Sequence, residues 1–160
     1  MRLPVAFVAL LLLAGCDLFG ESRPERVRAR PVVTSSTAEG LADARGRWAE
    51  ADLDDYQLEY TRACECLRAA AGPFLVTVEG GAVTEVEPLS GEPLPDGYEP
   101  FTVVRLFDAI DEAFDEGADA VDVVYDAALG FPVRIAIDYD ARVADEELYL
   151  EVTGFERLDG

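Results

Sequence analysis

Tyr56, Leu58 and Tyr60 alternate with polar neighbours, and the same two-residue period returns at Val121, Val123 and Tyr125 and at Val133, Ile135, Ile137 and Tyr139. That period marks strands with one face buried and one wet. Between these stretches, Val103, Leu106, Phe107, Ile110 and Phe114 recur at helical spacing, with Asp108, Asp111, Glu112 and Asp115 on the opposite side. Thr102 is its N-cap and Gly117 its stop. Phe74 to Val78 and Ala82 to Glu87 read as a hairpin across Glu79-Gly80-Gly81, because glycine supplies the positive φ of a tight turn. Leu148 through Val152 to Phe155 is the last strand. Ser36-Thr37-Ala38-Glu39 has the Ser-x-x-Glu pattern of a capping box and predicts a helix to about Asp52 that buries Leu41, Ala44, Trp48 and Ala51. Pro88 to Pro100 is a proline-rich loop. The predicted order is α-β-β-β-α-β-β-β. With short connections everywhere except through the helix, this is an α+β fold: a mainly antiparallel sheet of about six strands with helices packed on one face.

The first 15 residues stand apart from that body. Arg2 precedes an apolar run from Leu3 to Leu13, and Leu13-Ala14-Gly15-Cys16 follows. The run is shorter than the roughly 20 residues needed to span a bilayer, and Asp17 interrupts it at once. No Ala-x-Ala cleavage site precedes Cys16. The pattern is that of a lipoprotein signal peptide: residues 1–15 are removed and Cys16 becomes the lipidated first residue. A diacylglyceryl group with a further acyl chain such as palmitate holds stably at a membrane, where a single chain does not. This predicts a cell-envelope protein, lipid-anchored and facing the periplasm or the exterior. Residues 16–35 lack a sustained period, carry Pro24 and Pro31, and read as a flexible tether reaching roughly 25 Å. Arg23, Arg26, Arg28 and Arg30 cluster there, interleaved with Glu21 and Glu25. Residues 36–160 form the single domain.

Charge and missing residue types narrow the function. The chain holds 13 basic residues, all arginine, against 33 acidic ones, for a net charge of −20. Such a surface repels nucleic acid and anionic headgroups, so the membrane is met through the lipid, the expected partner is a protein, and nucleic acid is not one. There is no histidine and no lysine. Ser-His and Cys-His nucleophiles, Schiff-base lysines and histidine metal sites therefore cannot be built from this chain. No paired carboxylates show the spacing of glycoside hydrolysis. The reading is a non-catalytic binding or scaffolding domain with no cofactor and no catalytic residue.

Two local motifs keep other readings open. Cys64-Glu65-Cys66 lies in an oxidising compartment, where a disulfide between Cys64 and Cys66 can persist. Residues i and i+2 of a strand stand roughly 6.6 Å apart, near the upper end of the roughly 4.4–6.8 Å that a bridge accepts. Closing so short a loop contributes about 1.6 kcal/mol, against about 3 for fifteen residues. A strained bridge is easily reduced, which gives a thiol-redox alternative, although Glu65 opposes a stabilised thiolate and Arg62 and Arg68 only partly offset it. The acidic group Asp138, Asp140, Asp145, Glu146 and Glu147 gives the second alternative, a calcium-dependent binding module. It departs from the EF-hand pattern because Arg142 and Val143 stand where a ligand and a glycine belong. The metal-ligand set is accordingly expected to be empty.

Trp48, Asp55-Tyr56, Tyr60-x-Arg62-x-Cys64-x-Cys66, Val83, the helix Val103 to Glu116, Tyr125-Asp126 with Gly130-Phe131-Pro132, Ile137-Asp138 and Asp145-Glu146-Glu147 together resemble the bacterial lipoprotein family known as domain of unknown function 6174. Ala127 departs from the proline expected after Tyr-Asp. The resemblance implies a secreted, mostly lipid-anchored domain and brings no activity with it.

Overall fold

The computed structural model describes residues 31–63, 68–143 and 147–158. In chain order these form β1 (Val32–Ser35), α1 (Ala38–Ala51), β2 (Tyr56–Ala63), α2 (Arg68–Ala71), β3 (Phe74–Glu79), β4 (Ala82–Pro88), α3 (Val103–Glu116), β5 (Ala120–Asp126), β6 (Pro132–Asp138) and β7 (Glu147–Arg157). The strands make one sheet in the order β1-β5-β6-β7-β2-β3-β4, with each neighbouring pair antiparallel. Two three-stranded meanders, β2-β3-β4 and β5-β6-β7, are thus fused along β7 and β2. The eleven-residue β7 is long enough to pair with both β6 and β2. Among the described residues no helix is long and apolar enough to cross a membrane.

The two-residue period sends Tyr56, Leu58, Tyr60, Phe74, Val76, Val78, Val121, Val123, Ile135, Ile137, Leu150 and Val152 into one continuous core. Leu41 and Ala44 of α1 and Val103, Leu106, Phe107, Ile110 and Ala113 of α3 close that core from the same side. The other face, with Glu59, Thr153, Glu151 and Arg134, remains polar. A side chain such as Leu106, fully buried, contributes about 1.5–3 kcal/mol of hydrophobic transfer.

Three differences from the sequence reading have physical causes. First, Val32–Ser35 was expected in the tether but pairs with β5 in the register Val32↔Asp126 to Ser35↔Val123. The β-branched run covers what would otherwise be an open sheet edge, so the sheet has seven strands and the folded body begins within the 16–35 segment. Second, the N-cap of α1 is Thr37, whose Oγ1 accepts from the Gly40 amide at 3.1 Å. Ser36 instead donates to Asp122 Oδ1 at 2.6 Å, a tertiary bond that outcompetes the local cap. Third, a four-residue helix, α2, precedes β3. α3 has the expected bounds, with Thr102 Oγ1 accepting from Arg105 N at 3.2 Å and Gly117 in the left-handed conformation.

Candidate functional site

Alternation along β2 continues past Tyr60 to Arg62, the last residue but one of the strand. Arg62 pairs in register with the buried Leu150, so its side chain emerges on the helix side where the sheet runs out beneath α3. There it borders a cleft of about 480 Å³. One wall is α3, which presents Arg105, Asp108, Ala109 and Glu112 at i, i+3, i+4 and i+7, preceded by Phe101. Tyr139, Glu147 and Leu148 form the opposite rim, from the end of β6 and the start of β7.

Two of the five charged groups lining this cleft, Arg105 and Asp108, are paired among the described residues. Arg105 donates through Nη2 to Glu99 Oε2 at 2.8 Å and through Nη1 to the Pro100 carbonyl at 3.2 Å, and its guanidinium lies 5.9 Å from the Phe101 ring centre. Asp108 Oδ1 accepts from Arg45 Nη2 at 3.1 Å. Arg62 is different. It is half-buried, its Nε is closed off from solvent with no hydrogen-bond partner, and no ion pair reaches it among the described residues. Glu112 and Glu147 are likewise without an ion pair among the described residues. A buried guanidinium N–H left unmade is costly, so Arg62 is the group in this cleft with most to gain from a ligand.

A tyrosine network supports the cleft from below. Tyr60 Oη accepts from the Phe101 amide at 3.0 Å and shares a 2.6 Å hydrogen bond with Tyr98 Oη. Tyr56 Oη accepts from the Val103 amide at 3.2 Å, satisfying one of the free N–H groups at the start of α3. Burial pushes the phenols of Tyr60 and Tyr56 up from their ordinary value, and burial together with Tyr60 pushes Tyr98 up further. Tyr139 is raised by desolvation first, then by the nearby Glu116 and Glu112 carboxylates. All four phenols therefore keep their protons near neutral pH. Tyr56, Tyr60 and Tyr98 fix the approach to α3 through their hydrogen bonds, which sets the position of Phe101 and Arg105.

The sequence-expected site residues fall elsewhere or outside view. Cys16, Cys64 and Cys66, the Arg23 to Arg30 cluster, and Asp145 and Glu146 lie outside the described residues. Of the acidic group, Asp140 accepts from Arg142 through both carboxylate oxygens, Oδ1 from Nε at 2.8 Å and Oδ2 from Nη2 at 2.9 Å. These bonds hold its carboxyl below the usual range. Asp138 stands opposite Glu147 across β6 and β7, with its Oδ1 buried and unpartnered. Among the described residues no group of three His, Cys, Asp or Glu side chains is placed to hold a metal ion. Sequence reasoning meets Arg62 as a neighbour of the cysteines and within the family resemblance, not as a site residue, and does not single out Phe101 or Arg105. A positively charged residue on the buried parity of a strand was the available signal.

Residues 40–157 match the Family of unknown function (DUF6174). The chain belongs to that family. No curated protein and no solved structure matches it. In this DUF6174 domain most of the residues that carried the resemblance hold the fold together. Trp48 meets Tyr56, Phe131 and Phe155 edge-on, at ring separations of 5.4, 6.4 and 5.9 Å. Asp55 Oδ1 accepts from the Gly80 amide at 2.6 Å, tying the β3–β4 turn to the start of β2. Asp126 Oδ1 accepts from the Ala128 and Leu129 amides at 2.9 and 2.7 Å, which builds the turn into Gly130-Phe131-Pro132. Ala127 uses the amide that a proline lacks, donating to the Pro31 carbonyl at 2.9 Å just before β1. Arg62, the helix Val103 to Glu116 and Glu147 are the parts of the resemblance that line the cleft.

Proposed function

We propose that this chain is a bacterial envelope lipoprotein, anchored through lipidated Cys16, whose DUF6174 domain binds a small ligand in the Arg62 cleft without transforming it. The observation that carries the binding reading is the Arg62 guanidinium, unpaired among the described residues and half-buried at a cleft of about 480 Å³, a size within the range of about 300–1,000 Å³ typical of small-molecule sites. An aromatic ring, a phenol and charged groups of both signs converge on it, the mix of apolar lining and a few placed polar groups that such sites share. The absence of histidine and lysine from the sequence supports binding over nucleophilic or acid–base chemistry. The lipobox at Leu13 to Cys16 supports the anchor, and the acidic body supports a domain held at the membrane by its lipid alone.

Two experiments test the two halves. Metabolic labelling with a palmitate analogue should mark the wild-type chain in the membrane fraction and leave Cys16→Ser unlabelled and unattached; equal labelling of both removes the anchor. A thermal-shift screen of small charged and aromatic compounds should give stabilising hits on the wild-type chain that Arg62→Gln loses. Hits that persist unchanged in that variant would place binding elsewhere.

A further inference from the structure

Among the described residues, the charges around the cleft without an ion pair are one guanidinium, Arg62, and two carboxylates, Glu112 and Glu147. A simple anion would satisfy Arg62 but meet both carboxylates and the field of a chain with net charge −20, which disfavours its approach. A simple cation would meet the carboxylates and leave the Arg62 Nε without a partner. A ligand with both signs satisfies each. Phe101 and Tyr139 add ring surface to the same lining, and Ala109 and Leu148 add apolar surface.

We propose, resting on the reading of this cleft as a binding site, that its ligand is a small zwitterion. A carboxylate engages Arg62, a protonated amine faces Glu112 and Glu147, and an apolar or aromatic body lies against Phe101 and Tyr139. Amino acids and short peptides are the chemical class that fits. The guanidinium fork matches a carboxylate in a bidentate manner, and an ammonium is a point charge with three donors suited to two flanking carboxylates.

Isothermal titration of the full chain in detergent, at low salt, separates the poles with three probes that share one body. L-Phenylalanine carries both charges, 3-phenylpropanoate only the carboxylate, and phenethylamine only the amine. L-Phenylalanine should bind about tenfold or more tightly than either, the weight expected of one charge-assisted contact. Arg62→Gln should erase its advantage over phenethylamine. The double variant Glu112→Gln with Glu147→Gln, both exposed positions, should erase its advantage over 3-phenylpropanoate and keeps the test intact if Arg62→Gln does not fold. If either single-charge probe matches L-phenylalanine on the wild-type chain, the zwitterion inference is overturned while the cleft remains a binding site. If none of the three binds, both readings fall.

Discussion

A Cβ at Gly130 would strike the Ala44 carbonyl oxygen of α1, on a residue whose φ is +82°. Only glycine accepts both conditions cheaply. Gly130→Ala should therefore destabilise the domain by about 2 kcal/mol or more, read as a lower denaturation midpoint with an unchanged slope. A midpoint equal to wild type would mean α1 does not press on this turn as described. The buried tyrosines make a second prediction at this scale. Desolvation pushes the Tyr125 phenol up to about 12, against the lowering effect of Arg45 and Arg47. In the unfolded chain tyrosine titrates near about pH 10. A raised acid keeps its proton longer in the folded state, so its contribution to stability is complete below about pH 10 and is lost as pH rises towards about 12. Stability measured by denaturant across that window should fall, in step with phenol ionisation followed by ultraviolet absorbance. A flat profile would contradict the burial of these hydroxyls.

Elements differ in how openly the sequence declares them. α3 is plain because its apolar stripe, threonine cap and glycine stop agree with one another. The central strands are plain because one face is buried and one is wet. β1 is not, since Val32–Ser35 is four residues between Pro31 and a Ser-Thr run, and its reason to be a strand is the edge of β5, some 90 residues further on by the register of Val32 with Asp126. Hydrogen exchange should show protected amides within Val32–Ser35; exchange as fast as in an open chain would return that segment to the tether. Ser36 and Thr37 illustrate the same limit on a smaller scale, because both carry a capping hydroxyl and only the distant Asp122 decides between them. Thr102→Ala should cost about 1 kcal/mol through loss of the α3 cap. Its effect on ligand affinity should exceed that of Thr37→Ala, since α3 forms a cleft wall and α1 does not. The cleft was illegible for the same reason as β1: Arg62, Phe101, Glu112, Tyr139 and Glu147 come from four separate stretches, and no local spacing links them.

At the scale of the whole molecule, a net charge of −20 on 160 residues is a self-repulsion that salt screens. The melting temperature should rise with added sodium chloride; a fall would show that local ion pairs such as Arg45–Asp108 outweigh the overall field. The same charge keeps the body from anionic headgroups, so the proposed anchor would present the domain to its surroundings while the Arg62 cleft stays accessible. Amide chemical-shift mapping of the full chain in detergent during titration with L-phenylalanine tests that central claim most directly. The account predicts perturbations concentrated at Arg62, Phe101, Arg105, Ala109, Tyr139 and Leu148, and their loss in Arg62→Gln. Perturbations confined to the polar sheet face of Glu59, Arg134 and Glu151, or none at saturating probe, would contradict it.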